Sequence, residues 1–288
     1  MTETTTPVLA YFAALVADDE GFPVTEAALA LAQDAYPDLD LQAVLAEIDV
    51  LAARLLKRLP ESAGARERLM TLNAFFFREL GFSCNRNDYY DPDNSYLNMV
   101  LKRRLGIPIA LAVLYLELSA QIGLSAHGVS FPGHFLVRVN LPDGTAIIDP
   151  TTGRALGESR LMEMLEPYAA TDASPASLLR ALLQPASGRE IIVRMLNNLK
   201  SVYQPGERWQ RLLGVQQRLA ILLPEVPEEV RDRGLAYARL DFARAALVDL
   251  EWYLGERPEA ADATRIESEV DALRQRLARG GMQGAGSN

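Results

Sequence analysis

Apolar residues recur at spacings of three and four over positions 7–59: Val8, Leu9, Phe12, Leu15 and Val16, then Leu29, Leu31 and Ala35, then Val44, Leu45, Ile48, Leu51, Leu55 and Leu56. This period predicts three short helices, broken at Gly21-Phe22-Pro23, at Pro37-Asp38 and over 60–64, with Thr25 and Asp40 as candidate caps after the first two breaks. A further helix is expected over 66–80, stopped by Gly81. The chain then turns polar: 83–95 is dense in Asn, Asp and Tyr and reads as a structured loop. Helical spacing resumes over 94–104, and Gly106 with Pro108 opens a strongly apolar helix over 109–121 that must be buried on most sides. Beyond Gly123 the period becomes that of strands, over 126–130, 134–140 and 145–149. The last two, joined around Asp143-Gly144, are expected to form an antiparallel hairpin packed on the apolar helix.

The stretch 153–188 is less regular, with a helix expected over 159–168 and a looser Ala/Ser/Pro-containing linker after it. From 189 onward the chain is helical and repeats: Pro224 and Pro258 are 34 apart, as are Glu225 and Glu259, Leu213 and Leu247, Tyr203 and Tyr237, and Leu196 and Val230. That period resembles the tetratricopeptide repeat, a helix-turn-helix unit with a Tyr late in its first helix and a Pro at its end. Gly234 and Ala246 fall where that repeat needs small residues, whereas Lys200 and Leu212 in the first unit depart from it. Two such units and a capping helix over 263–278 are fewer than a free-standing solenoid requires, so they are expected to pack on the preceding domain. The expected organisation is an N-terminal helical region (1–80), a core (81–188), helical repeats (189–280) and a Gly-rich disordered tail (281–288). The fold class is α+β and mostly helical, with a small antiparallel sheet.

Composition narrows the function. The 288 residues carry 29 Lys+Arg against 38 Asp+Glu, a net charge of −9, so nucleic acid, which is bound through cations on phosphates, is not an expected partner. A hydrophobic fraction of 49% with 23% charged residues supports a buried core and excludes wholesale disorder. One cysteine, Cys84, forms no internal disulfide or thiolate cluster, and the two histidines, His127 and His134, leave little for zinc or non-haem iron; no metal or cofactor is expected. The Thr-rich start lacks the charged and apolar regions of a signal peptide. The longest apolar run, over 105–116, is short of the roughly 20 residues of a membrane span, so a cytoplasmic protein without membrane contact is expected.

The residues that carry chemistry lie near the strands. His134 stands in Gly-His-Phe-Leu-Val-Arg-Val and Asp149 in Ile-Ile-Asp-Pro-Thr. Side by side in a hairpin they form an imidazole oriented by a carboxylate, the base half of a nucleophilic triad. The nucleophile is then wanted at the N-terminus of the apolar helix, where the dipole lowers a thiol's pKa, but the residues there are Gly106-Ile107-Pro108.

This order of elements resembles the transglutaminase-like branch of the papain-type cysteine enzymes, in which the helix starts with Gly-x-Cys. The resemblance places Pro108 on the nucleophile, His134 on the catalytic histidine and Asp149 on the catalytic aspartate. More closely, Asn85-Arg86-Asn87-Asp88-Tyr89-Tyr90-Asp91-Pro92, Asn94-Ser95-Tyr96-Leu97-Asn98, Arg103-Arg104-Leu105-Gly106-Ile107-Pro108-Ile109 and Phe131-Pro132-Gly133-His134-Phe135-Leu136-Val137-Arg138 resemble the bacterial SirB family. That resemblance covers nearly the whole chain. It implies a helical N-terminal part, a degenerate transglutaminase-like core and C-terminal tetratricopeptide-type repeats, with this proline in place of the cysteine and no established reaction.

Cys84 is the one candidate thiol, at a place where the resembling family usually has Gly; Ser95 and Ser130 are nearer the motif but read as a helix cap and a strand residue. The loop acids Asp88, Asp91 and Asp93 lack the Gly-centred pattern of a calcium loop. The expected cleft combines Asn85, Asp88, Tyr89, Tyr90, Asn94, Asn98 and Phe131 around His134 and Asp149, with Arg104 either a helix-end cation or an anion contact at its mouth. His127 is expected on the surface or a strand edge. Three functions remain at this level: a binding or adaptor protein for a peptide, protein or small ligand; a hydrolase or acyl-transfer enzyme using His134 and Asp149 with water or Cys84; and a scaffold whose polar core only holds the loop. An enzyme requires His134 exposed with a nucleophile in reach, a binding module an open groove lined by Tyr89, Tyr90 and Phe131.

Overall fold

A computed structural model describes residues 6–168 and 174–284, and the chain divides into two compact units, 15–195 and 1–14 together with 196–288. Within the first unit the expected N-terminal helical region (from 15) and the core are one body, because the apolar helix needs partners on every side. That helix, α6 (Pro108–Gln121), starts with Pro108 at its first position and buries nine side chains, Ile109 to Tyr115 among them. It packs against α2 (Val24–Ala30), α3 (Leu41–Leu56), α4 (Ala65–Asn73) and α5 (Leu97–Arg103). It also packs against β3 (Ala126–Val129) and β4 (Leu136–Leu141).

The sheet runs β3-β4-β5-β6, all antiparallel, with β5 at Gly144–Ile148 and β6 at Ala155–Leu156. The register Val137↔Ile148 and Arg138↔Ile147 divides the faces by pleat. Leu136 and Ile147 join Val129, Phe131 and the helices α7 (Glu158–Leu165) and α8 (Pro175–Leu182) in one apolar cluster. A second, two-stranded sheet pairs β1 (Ser83–Cys84) parallel to β2 (Leu105–Gly106).

Several local expectations change. The helix expected over 66–80 is α4 followed by a π-helical turn, Ala74–Glu79, before Gly81 at φ +74°. Thr25 does not cap α2, whose N-cap is Pro23; its hydroxyl donates to Glu117 Oε2 at 2.6 Å. Ser95 caps nothing with its side chain, since α5 starts from Tyr96 after a 3-10 turn, Pro92–Asn94. The strand expected from 134 begins at Leu136, leaving His134 in the preceding turn. The linker after 168 contains α8, which Pro175 at the first position and the Leu178, Leu179, Leu182 spacing signal in the sequence. Asp40 does cap α3, accepting from the Ala43 N–H at 3.0 Å. Asp40→Ala is therefore expected to lower stability by about 1 kcal/mol in urea titration, with an unchanged m-value.

In the second unit α1 (Pro7–Leu15) buries Leu9 and Phe12, and the buried Arg218 guanidinium lies 5.5 Å from the Phe12 ring centroid. The helices α10 (Trp209–Leu222), α11 (Pro227–Arg239) and α12 (Ala243–Glu256) form antiparallel neighbours, followed by α13 (Ala263–Gly284). The preceding helix, α9 (Gly188–Tyr203), carries residues of both units. The 34-residue period is written into the backbone. Glu207 and Asp241 both take left-handed φ, +50° and +62°, and Arg208 and Phe242 share φ −80° with ψ near 60°. Gly234 is required: a Cβ there would stand 2.9 Å from Asp249 Cβ. Lys200, its counterpart 34 residues earlier, instead extends to Asp232 at 2.7 Å and Glu229 at 3.5 Å, which explains that departure from the pattern. The tail expected to be disordered over 281–288 is the end of α13 to Gly284, and its last four positions lie outside the described residues.

Candidate functional site

The parallel pairing of β1 and β2 builds one wall of the site. It sets Cys84 in register with Gly106, two residues before Pro108 at the start of α6. Proline has neither thiol nor N–H, so the helix N-terminus that activates a nucleophile in this kind of core has none to activate. Cys84 is half-buried; burial pushes its thiol up, Asp149 adds to the rise, and only Arg86 opposes it. That is the reverse of an activated thiol.

Asp149 follows β5 directly, and its carboxylate closes on its own turn. It accepts from the Thr151 N–H at 2.8 Å, from Thr151 Oγ1 at 2.6 Å and from Thr152 Oγ1 at 3.0 Å. His134 is exposed, and its ring makes no hydrogen bond or ion pair among the described residues. The expected imidazole–carboxylate bond is thus not formed. His127 lies exposed on β3, an edge strand, with Asn140 Nδ2 3.5 Å from its Nε2.

What fixes the His134 turn is Arg194 on α9. Its Nη1 donates to Ser130 Oγ at 2.8 Å and to the Phe131 carbonyl at 3.0 Å, and its Nη2 to the His134 carbonyl at 2.6 Å, while the guanidinium lies 5.7 Å from the Phe135 centroid. Burial lowers the Arg194 pKa, and Tyr89 and Tyr168 raise it. Burial pushes the Tyr89 phenol up, with Cys84 and Tyr90 in the same sense and Arg194 against them. These couplings bring Cys84, Tyr89, Tyr168 and Arg194 into one electrostatic neighbourhood. Gly133 is favoured there by its left-handed φ of +67°, and Tyr168 Oη stands over it, 2.5 Å from where a Cβ would lie. Arg194 and Tyr168 were missed by sequence reasoning; the signal for Arg194 was a lone charge inside the apolar run Ile191-Ile192-Val193-Arg194-Met195-Leu196.

The Asn/Asp/Tyr loop divides into a buried frame and an exposed rim. Asn94 is fully buried: its Nδ2 donates to the carbonyls of Asp88 at 2.6 Å and Tyr89 at 3.3 Å, its Oδ1 accepts from Asn85 Nδ2 at 3.1 Å, and its carbonyl accepts from the Ile107 N–H at 2.9 Å. Asn85 and Asn94, expected as ligand contacts, are therefore bracing for the loop. Asp88, Tyr89 and Tyr90 form the rim, the two tyrosines 46% and 72% exposed and edge-to-face at 5.5 Å. Asp91 and Asp93 pair with Arg103 at 2.6 and 3.3 Å. Phe131, expected to line a groove, is fully buried in the cluster beneath α7 and α8. Arg104 is the left-handed C-cap of α5 at φ +59°, stacked 4.8 Å over Phe82 and 3.9 Å from Glu47. Asn98 lies on α5 with Oδ1 buried and unpartnered. Among the described residues no three His, Cys, Asp or Glu converge to hold a metal, and no helix is long and apolar enough to cross a membrane.

Residues 42–197 match the model of a transglutaminase-like superfamily and residues 199–271 that of a tetratricopeptide repeat. A "UPF0162 protein" of Xylella fastidiosa is 40% identical over 90% of this chain and 93% of its own. The SirB1 protein of Salmonella typhimurium is 30% identical over 82% of this chain and 87% of its own, and the UPF0162 protein YchA of Escherichia coli K12 29% over 87% and 93%. No solved structure matches the chain significantly. With its transglutaminase-like core and following helical repeats, the chain belongs to the SirB1/UPF0162 family of transglutaminase-like proteins.

Proposed function

We propose that this chain is a non-catalytic binding or adaptor protein that holds a peptide or protein partner at the rim formed by Tyr89, Tyr90 and the His134 turn. The observation that carries this reading is the unassembled triad: Pro108 at the nucleophile position, Asp149 closed on Thr151 and Thr152, and His134 without a ring partner. Exposed tyrosines beside a rigid turn favour recognition, because they offer large contact area at small entropic cost. Tetratricopeptide repeats support the same reading, since stacked helical hairpins present extended surfaces to protein partners. A cytoplasmic setting, without nucleic acid, membrane, metal or cofactor, belongs to this proposal and rests on the net charge of −9 and the single cysteine.

A second reading draws on the register of Cys84 with Gly106: a hydrolase or acyl-transfer enzyme using His134 and Asp149 with water or a relocated Cys84. Iodoacetamide labelling across pH separates the two. The raised thiol pKa means that the thiolate appears only as pH climbs past the ordinary value of about 8.5, so labelling at pH 7 is expected to be slow and unchanged in His134→Ala. Fast neutral labelling, or ester turnover, that disappears with His134 would move the chain to the enzymes. In a random peptide library panned on the wild type, enriched peptides are expected to lose binding to a Tyr89→Ala/Tyr90→Ala double variant. Retained binding would remove the rim from the partner surface.

A further inference from the structure

On the face of the four-stranded sheet that carries α7 and α8 lies a concavity of about 830 Å³ that includes none of the residues around His134. Ile147, Leu156, Leu161, Leu179 and Leu183 supply an apolar part of its lining beside polar and charged side chains, and its volume falls in the range of small-molecule sites. Two guanidiniums line it, Arg138 from β4 and Arg180 from α8, against one carboxylate, Glu158, whose charge the first turn of α7 already favours. Neither arginine pairs with a carboxylate among the described residues. The Arg138 Nη1 reaches only the Leu183 carbonyl, at a long 3.4 Å, and its Nε is buried with no acceptor at all. A buried N–H on a cation is costly to leave unpaired, and here it belongs to a side chain that lines the concavity and no protein acceptor reaches it.

We propose that this concavity binds an amphipathic organic carboxylate, with the carboxylate on Arg138 and Arg180 and an apolar chain over Ile147, Leu156 and Leu179. A carboxylate fits because its two oxygens match the planar fork of a guanidinium and satisfy the Nε–H together with an Nη–H. The strand fixes Arg138 opposite Ile147, so the charged and apolar ends of the ligand are set by adjacent positions of one hairpin.

Isothermal titration of the full chain with decanoate, decanol and decylamine, each below its aggregation threshold, tests this. Saturable one-site binding of decanoate is expected, with decanol at least tenfold weaker and decylamine without a binding isotherm. Arg138→Gln is expected to weaken decanoate tenfold or more, Arg180→Gln less, and Ala176→Trp, at the exposed mouth, to block it. Arg160→Gln, which removes an exposed ion pair with Glu163 on the same helix, is expected to leave binding unchanged. Absence of a saturable decanoate isotherm, equal binding of decanol, or full affinity in Arg138→Gln overturns the proposal. If Arg138→Gln loses its cooperative melt, Arg180→Gln and the three headgroups on the wild type decide the matter.

Discussion

Phe76→Ala is expected to destabilise the chain by about 3–5 kcal/mol, read as a lower urea midpoint for the transition of the 15–195 unit. Phe76 is fully buried in the π-helical turn after α4, stacked on Phe82 at 4.3 Å and edge-to-face with Tyr115 at 5.5 Å and Phe77 at 4.9 Å. Ile48 and Leu51 of α3, Leu101 of α5, and Leu114 and Leu118 of α6 complete its surroundings, so truncation opens a void among side chains on three helices that cannot collapse together. The consequence reaches the site. Tyr115 donates to Asn73 Oδ1 at 2.8 Å, and Asn73 Nδ2 donates to the Gly153 carbonyl at 3.2 Å, in the turn that holds Asp149. Phe77 closes on the same Gly153, where a Cβ would meet its ring at 2.5 Å. Faster amide exchange over 149–153 is expected to accompany the loss of stability. A cost under about 1 kcal/mol would mean that the aromatic stack is not the core of this unit.

Asn94→Ala is expected to cost about 3 kcal/mol and to release the loop that carries Tyr89 and Tyr90. The substitution removes a donor from two backbone carbonyls, those of Asp88 and Tyr89, and the acceptor of the Asn85 amide; Asn94 has no exposed surface and Asn85 is buried, while the Asp88 carbonyl keeps the Asp91 N–H at 3.3 Å. Each buried polar group left unpaired contributes about 1–3 kcal/mol, and the carbonyls recover part of that by turning to water as the loop opens. Amide exchange over 86–91 is expected to rise by more than the global destabilisation explains, because the rim then opens by itself. Peptide binding to the tyrosine rim is expected to weaken in parallel. Exchange that rises only with global unfolding would show that Asp91, Asp93 and Arg103 suffice to hold the loop.

The elements that the sequence makes legible are those fixed by local pattern. A helix apolar on nearly every side must be central, a period-two run ended by Pro142-Asp143-Gly144 must turn back as a hairpin, and a 34-residue repeat must stack. Helix α8 was legible too, through a proline at its first position, but the Ala/Ser content around it masked the signal. The candidate site was legible only in its membership. His134, Asp149, Pro108, Cys84 and the Asn/Asp/Tyr loop are named by sequence order, yet nothing local states which of them touch.

Composition, periodicity and motif order by themselves determined an acidic α+β chain with a buried proline-led helix, a following hairpin and helical repeats. They also determined that no nucleophile stands at the helix start. Tertiary structure alone decided that Asp149 bonds Thr151 and Thr152 rather than His134, since a short-range turn competes with a cross-strand partner and wins on proximity. It decided that Phe131 is core and Tyr89 and Tyr90 are rim, because alternation assigns a face only once the sheet has chosen which face the helices cover. It also decided that Arg194 holds the His134 turn, because its acceptors there are one hydroxyl and two backbone carbonyls some 60 residues away. Any residue can supply a carbonyl, so the lone charge at Arg194 marks a donor while side-chain identity does not say which carbonyls accept from it.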